Sequence, residues 1–285
     1  MSLHQAILPQ QSAASKEACS RFAILAIPNY CVFYETAAGR RIKETIDMSK
    51  QQLSGRWSLV TGASSGIGVD LARELASRGS NVIVLARREE KLKEVQAELT
   101  ARFPVQAEYV TADLADEQAR QQLYDDLSQA GRTVDVLVNN AGFGLFGMSW
   151  EIPWEQERQM LNVDVMAMAH LTKLFLQDMV KRNSGFVLQV ASYAAYQPAP
   201  TYASYSAAKS FVLNYGEALN YELRNTNVGV TVVAPGIVDT AFHDVAGQKK
   251  NRYQRMTQMK PDEVARIAVD AMLKRKASVI PGWMN

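Results

Sequence analysis

Three side chains between residues 192 and 209 have the types and spacing needed for proton transfer. Ser192 precedes Tyr205 by thirteen residues, and Lys209 follows Tyr205 by four. Positions i and i+4 share one face of a helix, so the phenol and the ammonium can project in the same direction. A free phenol titrates near pH 10, and lowering its pKa to about 7 requires roughly 4 kcal/mol of electrostatic help, much of which a neighbouring cation can supply. The spacing therefore predicts a tyrosine that acts as acid and base.

The composition limits the classes of function. The 285 residues are 47% hydrophobic and 21% charged, which predicts a globular chain with a sizeable core. The net charge of +2 is too small to indicate a nucleic-acid partner. The histidines His4, His170 and His243 are too scattered to predict a metal site. Cys19 and Cys31 both lie near the N-terminus, so no later disulfide is possible, which fits a reducing, cytoplasmic location.

Two stretches of the sequence carry no charge, as a membrane span would. Residues 22–34 are too few and are interrupted by Pro28, and residues 185–208 are rich in polar side chains, as a cleft lining would be. We therefore predict no transmembrane segment. The apolar ending VIPGWMN could pack at a subunit interface or contact a membrane, and its sequence leaves both open.

The chain is predicted to consist of an N-terminal extension, residues 1–52, and one catalytic domain, residues 53–285. The extension shows no sustained hydrophobic period, and its acids Glu17, Glu35 and Glu44 argue against a transit peptide. Its role is open. We expect it to be accessory rather than catalytic.

From Arg56 onward, short runs rich in Val, Ile and Leu alternate with longer amphipathic segments. This alternation predicts βαβ units and a parallel sheet, and near-continuous apolar strands indicate that both sheet faces are covered. The predicted fold class is α/β, a doubly wound parallel sheet of about seven strands with helices on both faces. The predicted strands are WSLVTG, NVIVLA, VQAEYVTAD, VDVLVNNAG, GFVLQVAS, GVTVVAPG and, as a seventh, ASVIPG.

The first predicted strand runs into TGASSGIG, residues 61–68, and then into a helix. Glycines let the backbone approach a pyrophosphate, whose charge is stabilised at a helix N-terminus. The spacing departs from the common GxGxxG pattern, and a plain strand-to-helix turn is the alternative interpretation. The position directly after the first strand favours a dinucleotide site.

Taken together, these motifs resemble the short-chain dehydrogenase/reductase family, in its single-domain branch, over residues 53–285. TGASSGIG matches the family's cofactor loop, NNAG at 139–142 matches the segment that borders the cofactor, and PG at 235–236 matches the turn beside the nicotinamide. The resemblance implies cofactor contacts from Gly62, Ser64, Ser65, Gly66, Ile67, Gly68, Asp113, Leu114, Asn139, Ala141, Gly142, Tyr205, Lys209, Pro235, Gly236, Val238 and Thr240.

The resemblance also implies a catalytic tetrad. Tyr205 would exchange a proton with the substrate oxygen, and Ser192 would hydrogen-bond that oxygen. Lys209 would lower the pKa of the phenol and bind the nicotinamide ribose, and Asn162 would hold a water linking Lys209 to solvent. A helix amide bonded to backbone is the alternative for Asn162. Tyr202 lacks a lysine four residues later, so we expect it to line the cleft or pack in the core.

The second predicted strand ends without a carboxylate and is followed by Arg87 and Arg88. A carboxylate there would bind the adenosine ribose and repel a 2′-phosphate, whereas a guanidinium suits a phosphate. We therefore predict NADP(H) in preference to NAD(H), mainly from Arg87. The alternative is that both arginines are solvated and pair with Glu89 and Glu90.

Substrate selection is expected in three loops, residues 143–153, 193–201 and 240–260. The first is rich in apolar side chains, which favours an apolar substrate or packing on its own domain. The third holds a basic cluster, which suits an acidic acyl carrier or a solvated lid; the cluster consists of Lys249, Lys250, Arg252 and Arg255.

The leading prediction is an NADP(H)-dependent carbonyl reductase or alcohol dehydrogenase that acts on a small to medium, apolar substrate. A 3-ketoacyl-thioester reductase of the same fold is the nearest alternative. A non-catalytic NADP(H)-binding scaffold or redox sensor is the alternative from another class. The resemblance further implies a homodimer or homotetramer that pairs through the helices at residues 154–182 and 203–224.

Overall fold

The computed structural model describes residues 22–27, 30–35, 53–242, 246–248 and 257–282. The chain divides into two compact units, residues 1–46 and 47–285. In the first unit, β1 (Phe22–Ile27) and β2 (Tyr30–Glu35) form an antiparallel pair. The sequence did not predict this pair. Both strands are almost entirely apolar, so they lack the alternation that identifies a half-exposed strand.

The second unit contains a seven-stranded sheet in which every pairing is parallel. The strand order is β5-β4-β3-β6-β7-β8-β9. The direction of winding reverses between β3 and β6, as in a doubly wound fold, and ligands bind such sheets beyond the strand ends at this switch point. The predicted fold class is confirmed. The strands are β3 (Trp57–Thr61), β4 (Asn81–Ala86), β5 (Ala107–Thr111), β6 (Val134–Asn139), β7 (Gly185–Val190), β8 (Val228–Val233) and β9 (Ser278–Val279).

Helices connect the strands and cover both faces of the sheet. A π-helical segment, Asn162–Ala167, separates two α-helices where the sequence predicted a single helix over 154–182. A short 3₁₀ turn spans Tyr193–Tyr196. Within the described residues, no helix is both long enough and apolar enough to cross a membrane. The α-helices are α1 (Ile67–Ser77), α2 (Glu89–Arg102), α3 (Glu117–Gln129), α4 (Trp154–Leu161), α5 (Met168–Lys181), α6 (Ala203–Glu222) and α7 (Pro261–Leu273).

Successive residues of the central strands enter two separate cores. In β3, Leu59 packs in the cluster that includes Phe175 of α5, whereas Val60 packs in the cluster that includes Leu75 of α1 and Val269 of α7. Both strand residues are fully buried. Burying each side chain contributes about 1.5–3 kcal/mol, which is why these strands are apolar on both faces. The result is a rigid sheet whose carboxyl edge carries the candidate site.

Candidate active site

Tyr205 and Lys209 lie in the first two turns of α6, beside the carboxyl end of β7. Both residues are buried, at 8% and 5% exposure of the whole residue. The Lys209 Nζ lies 5.7 Å from the centroid of the Tyr205 ring and donates a 3.2 Å hydrogen bond to the carbonyl of Val190, the last residue of β7. The helix thus holds the phenol and the ammonium on one face, directed at the edge of the sheet.

Ser192 follows β7 and caps the 3₁₀ turn. Its Oγ accepts a hydrogen bond of 3.2 Å from the Ala194 amide. The Ser192 hydroxyl lies near enough to the Tyr205 phenol to act to lower the pKa of that phenol. The amide of Tyr193 donates to the Pro235 carbonyl at 2.8 Å, so the turn is tied to the end of β8. Ser192, Tyr205 and Lys209 are therefore brought together.

The charged partner of Lys209 is Asp164, a residue that the sequence prediction missed. Asp164 is 1% exposed, and its Oδ1 lies 2.8 Å from the Lys209 Nζ. Its Oδ2 accepts a 3.1 Å hydrogen bond from the Phe143 amide. Asn162, predicted to act beside Lys209, is half-buried at the start of the π segment. Among the described residues no direct hydrogen bond joins its side chain to Lys209, and its predicted role, holding a water that links Lys209 to solvent, stays a prediction.

One signal in the sequence could have found Asp164. It is an acid inside the apolar run LNVDV, where a charge needs a buried partner. The phase of a regular helix does not show which polar residue of this run faces Lys209, because the π segment changes that phase.

Burial and charge set the protonation of this cluster. Burial raises the pKa of Tyr205, and the Asp164 carboxylate raises it further, while Lys209 and Ser192 act in the opposite direction. The pKa of Tyr205 therefore lies above the ordinary value of a phenol. The sequence argument for a phenol pKa near neutrality considers only the lysine beside the phenol, and the structure adds a carboxylate that acts in the opposite direction.

The two partners of the ion pair are shifted as well. Burial raises the pKa of Asp164 despite the opposing effects of Lys209 and the Phe143 amide. Burial acts to lower the pKa of Lys209, but Asp164 and Tyr205 raise it above its usual value. The attraction between the two groups acts to lower the pKa of Asp164 and to raise that of Lys209, so it favours the charged form of both, and the contact is an ion pair.

Aromatic rings enclose Tyr205. The rings of Tyr202 and Phe242 lie 5.8 Å and 5.3 Å from the Tyr205 ring, measured between centroids. The Tyr202 hydroxyl donates a 2.9 Å hydrogen bond to the Gln248 side chain, and burial raises the pKa of Tyr202 to about 12. Tyr202 therefore forms part of the wall and stays protonated, in agreement with its predicted place in the cleft.

The three loops predicted to select the substrate meet over this wall. The Phe146 amide donates to the Ala246 carbonyl at 3.1 Å, and the Gly147 amide donates to the Thr201 carbonyl at 2.9 Å. Apolar side chains remain exposed at the rim, with Met148 at 45%, Trp150 at 81% and Tyr193 at 40%. The basic cluster predicted in the third loop lies outside the described residues. The described rim is therefore an apolar surface.

The glycine-rich loop after β3 is packed too closely for side chains. A Cβ on Gly68 would lie 2.5 Å from the Gly62 carbonyl oxygen, and a Cβ on Gly62 would lie 2.8 Å from the Ala141 Cα. Gly66, with φ of 59°, caps α1 without any side-chain hydrogen bond, and Ile67 begins the helix. The first amides of α1 thus remain available to an anion.

The NNAG segment locks the end of β6 to this loop. The Thr61 Oγ1 accepts hydrogen bonds of 2.9 Å and 3.0 Å from the Asn140 and Ala141 amides. The Asn139 side chain donates instead to the Thr172 hydroxyl of α5 at 2.9 Å. Asn139 was predicted to bind the cofactor, but its side chain is buried and braces the sheet against α5, so only its backbone remains for that role.

Gly142 completes the segment. A Cβ at this position would lie 2.5 Å from the Asp164 Oδ1. The glycine is therefore required by the buried carboxylate.

The arginine that reaches the glycine-rich loop is Arg88. Its guanidinium donates hydrogen bonds of 2.7 Å to the Ser65 hydroxyl and 3.0 Å to the Ser64 hydroxyl. Arg87 is exposed at the end of β4. Although the sequence argument relied mainly on Arg87, the structure places the Arg88 guanidinium at the loop.

The remaining predicted positions flank the same edge. Asp113 is exposed and its carboxylate accepts from the Ala115 amide at 3.0 Å, while Leu114 is buried. Thr240 lies over the glycine-rich loop, because a Cβ on Gly66 would contact its methyl group at 3.4 Å. The other positions that follow β8 are Pro235, Gly236 and Val238, of which Pro235 and Val238 are buried.

The residues present fit a dinucleotide. The glycines leave a backbone cradle, the helix N-terminus offers uncapped amides, and Arg88 supplies a cation beside two hydroxyls. A family model described as short chain dehydrogenase matches residues 56–251. The chain belongs to the short-chain dehydrogenase/reductase family.

Two curated relatives and one solved structure are similar to this chain over 65–81% of its length. A very-long-chain 3-oxoacyl-CoA reductase of Homo sapiens is 33% identical over 65% of the chain, and the match spans 60% of that relative. A Homo sapiens protein named inactive hydroxysteroid dehydrogenase-like protein 1 is 30% identical over 71% of the chain and 61% of its own length. The structure of a short-chain dehydrogenase from Sphingobium yanoikuyae in complex with NADPH superposes with a TM-score of 0.75 at 26% identity, covering 81% of this chain and 89% of that one.

Proposed function

We propose that this short-chain dehydrogenase interconverts a carbonyl and an alcohol with NADP(H), using Tyr205 as the proton donor and acceptor. The observation that carries the proposal is the set of Ser192, Tyr205 and Lys209 at the carboxyl edge of the sheet, in which Tyr205 and Lys209 are buried and Ser192 is half-buried. A nucleotide-binding scaffold needs the glycine cradle but has no use for this proton-transfer set. We therefore favour an enzyme over a scaffold or redox sensor.

Each residue has a separate task. When bound, the nicotinamide supplies or accepts the hydride. Tyr205 donates its phenolic proton to the carbonyl oxygen, and Ser192 holds that oxygen by a hydrogen bond. Lys209 has three N–H donors, of which two are directed at Val190 and Asp164, so the third is available for the nicotinamide ribose. Asn162, at the start of the π segment, would hold a water that links Lys209 to solvent.

We propose NADP(H) in preference to NAD(H) because of the charge at the end of β4. Arg88 bonds to Ser64 and Ser65, which forms a compact group of donors suited to a phosphate, and Arg87 adds a second cation. No carboxylate stands at the strand end to repel a 2′-phosphate. The NADPH in the Sphingobium yanoikuyae structure supports the same choice.

A 3-oxoacyl thioester is the substrate class favoured by a specific observation. Curated relatives at 32–33% identity are named very-long-chain 3-oxoacyl-CoA reductases. The exposed apolar rim formed by Met148, Trp150 and Tyr193 offers a surface on which an acyl chain can pack. A small apolar ketone or aldehyde, the leading prediction from the sequence, fits the same catalytic residues but leaves this rim unused.

A series of substrates of different chain length distinguishes a 3-oxoacyl-thioester reductase from a reductase of small carbonyl compounds. We would measure NADPH and NADH oxidation in parallel with 3-oxoacyl-CoA esters of increasing chain length and with simple ketones and aldehydes. An acyl reductase should show kcat/KM rising with chain length, whereas a small-carbonyl reductase should prefer the short compounds. NADPH binding without turnover of any compound would instead support the scaffold, a result that the inactive human relative makes worth testing.

We also propose that the protein is a homodimer or homotetramer that pairs through α4, α5 and α6. Large apolar side chains stay exposed on or beside these helices, including Trp154 at 64%, Met166 at 53% and Phe211 at 42%. Light scattering should give two or four times the mass of one chain. A single-chain mass would exclude the proposal. The cytoplasmic location remains a prediction from the sequence.

A further inference from the structure

The Asp164 carboxylate lies where it neutralises the lysine of the proton-transfer set. Its Oδ1 is 2.8 Å from the Lys209 Nζ, and this oxygen accepts no other hydrogen bond from the described residues. Both side chains of the pair are buried, with exposed fractions of 7% for lysine and 0% for aspartate. A pair so poorly hydrated interacts far more strongly than one at the surface.

The surrounding chain is shaped to hold this carboxylate. The π segment presents Asp164 between α4 and α5, and π segments of this kind occur frequently at functional sites. The Phe143 amide bonds to Oδ2, and Gly142 leaves the space that Oδ1 occupies. Two residues of the loop after β6 thus fix the carboxylate against Lys209. A carboxylate held in this way is part of the site and not an accident of core packing.

The ion pair between Asp164 and Lys209 determines the charge beside the Tyr205 phenol. The charged groups that act on its phenol from the described residues are Lys209 of the same helix and Asp164 of the π segment. Tyr202 is the neighbouring titratable group, and the other contacts described, Ser192 and Phe242, are uncharged. The phenol therefore faces a neutral ion pair instead of a free ammonium. A neutral pair does little to stabilise a phenolate.

We propose that Asp164 is a positioning residue that, by neutralising Lys209, keeps Tyr205 protonated through neutral and mildly alkaline pH and so extends the pH range of carbonyl reduction. The inference rests on the proposed function. In reduction, the carbonyl carbon gains a hydride from the dihydronicotinamide and the oxygen gains the proton of the Tyr205 Oη. The tyrosinate then recovers a proton from solvent, so the step balances for each turnover.

The central test compares Asp164→Asn with the unchanged protein. The amide keeps the size of the side chain and removes its charge, so Lys209 becomes a free cation beside the phenol. Reduction requires the protonated phenol, so its kcat/KM falls as pH rises through the phenol pKa. In Asp164→Asn this alkaline limb should move down by at least about one pH unit, a tenfold change in proton affinity. Asp178→Asn, the same change on α5 beside Tyr124, is the control and should leave the limb in place.

If Asp164→Asn does not fold, the pKa of Tyr205 can still be measured directly in the unchanged protein, without turnover. The phenolate absorbance of the unchanged protein is titrated in the near ultraviolet and compared with that of Tyr205→Phe, so that the difference reports Tyr205 alone. We expect this component to titrate above the ordinary phenol value of about 10. A Tyr205 midpoint near 7, or an alkaline limb that Asp164→Asn leaves unmoved, would overturn the inference. Failure of the proposed function would appear separately, as absence of reductase activity in the unchanged protein.

Discussion

The Arg88 guanidinium donates a 2.7 Å hydrogen bond to the Ser65 hydroxyl, and this contact joins the end of β4 to the glycine-rich loop after β3. A cation and a hydroxyl are thereby held side by side, next to the uncapped N-terminus of α1. A phosphate bound there would replace the weak exposed contact with charge-assisted hydrogen bonds, each contributing about 1.5–3 kcal/mol. The relationship therefore makes a prediction about cofactor choice.

Replacing Arg88 by alanine should weaken NADPH far more than NADH. We expect the KM for NADPH to rise by about tenfold or more, because the 2′-phosphate loses its cation, while the KM for NADH stays nearly constant. Arg87→Ala measures the share of the neighbouring arginine, and Arg102→Ala, at the far end of α2, is the control. Equal losses for both cofactors in Arg88→Ala would show that the arginine only supports the loop.

Replacing Gly68 by alanine should damage the cofactor site in addition to the fold. The added Cβ would lie 2.5 Å from the Gly62 carbonyl oxygen and from the Asn140 side chain, so the cradle must open. We expect a loss of about 1–3 kcal/mol in stability and at least a tenfold loss of NADPH affinity. Both are measurable by thermal unfolding and by fluorescence titration.

The matched control for this change is Gly216→Ala on α6. There the added Cβ would overlap the side chains of Val232 and Gln189 inside the core, away from the glycine-rich loop. Stability should fall by a similar amount, with NADPH affinity retained. Equal loss of affinity in the two variants would contradict the idea that Gly68 serves nucleotide binding.

The ion pair between α1 and α2 predicts a dependence of stability on acid pH. Arg73 donates hydrogen bonds of 2.9 Å and 2.7 Å to the two oxygens of Glu98, and these bonds hold the pKa of Glu98 below its usual 4.5. A pKa lowered by folding means that the pair stabilises the fold above about pH 4.5 and that this stabilisation is lost as pH falls through the folded-state pKa.

Glu98→Gln should therefore lower the free energy of unfolding by about 0.5–1 kcal/mol at pH 7, because the pair is partly exposed. In urea unfolding curves, the difference from the unchanged protein should shrink as the pH falls below 4.5 and through the lowered folded-state pKa of Glu98. Glu94→Gln, which removes an exposed carboxylate from the same helix, is the control. A deficit in Glu98→Gln that persists unchanged at low pH would exclude the electrostatic origin.

The sequence was sufficient to predict the sheet and the helix that carries Tyr205 and Lys209. Strands buried on both faces must be apolar throughout, so runs such as NVIVLA can be recognised as strands. The i,i+4 spacing of Tyr205 and Lys209 predicts that a helix holds both side chains on one face. The pair formed by β1 and β2 was missed because its strands show no alternation. The sequence also does not show which way the two adjacent arginine side chains point. The order Arg87-Arg88 does not reveal which guanidinium contacts the glycine-rich loop.

The most important contact that the sequence does not predict is the one between Asp164 and Lys209. A regular helix over 154–182 gives each residue a fixed phase of about 100°, and a π segment alters that phase at positions that the sequence does not mark. The charge on Lys209 was therefore assigned without its partner. The expectation of a Tyr205 pKa near neutrality therefore includes the effect of Lys209 but not that of Asp164.

Replacing Tyr205 by phenylalanine tests the central claim most directly, because it removes one hydroxyl from a buried ring and leaves the packing in place. Reduction of the best carbonyl substrate should fall by about 100-fold or more in kcat/KM, the usual contribution of a general acid, with NADPH binding retained. Tyr215→Phe, a matched change on the same helix, should stay within about twofold of the unchanged protein, because it removes a hydroxyl that is not part of the proton-transfer set. If Tyr205→Phe kept its activity within about fivefold, Tyr205 would not be the proton donor and the account would fail.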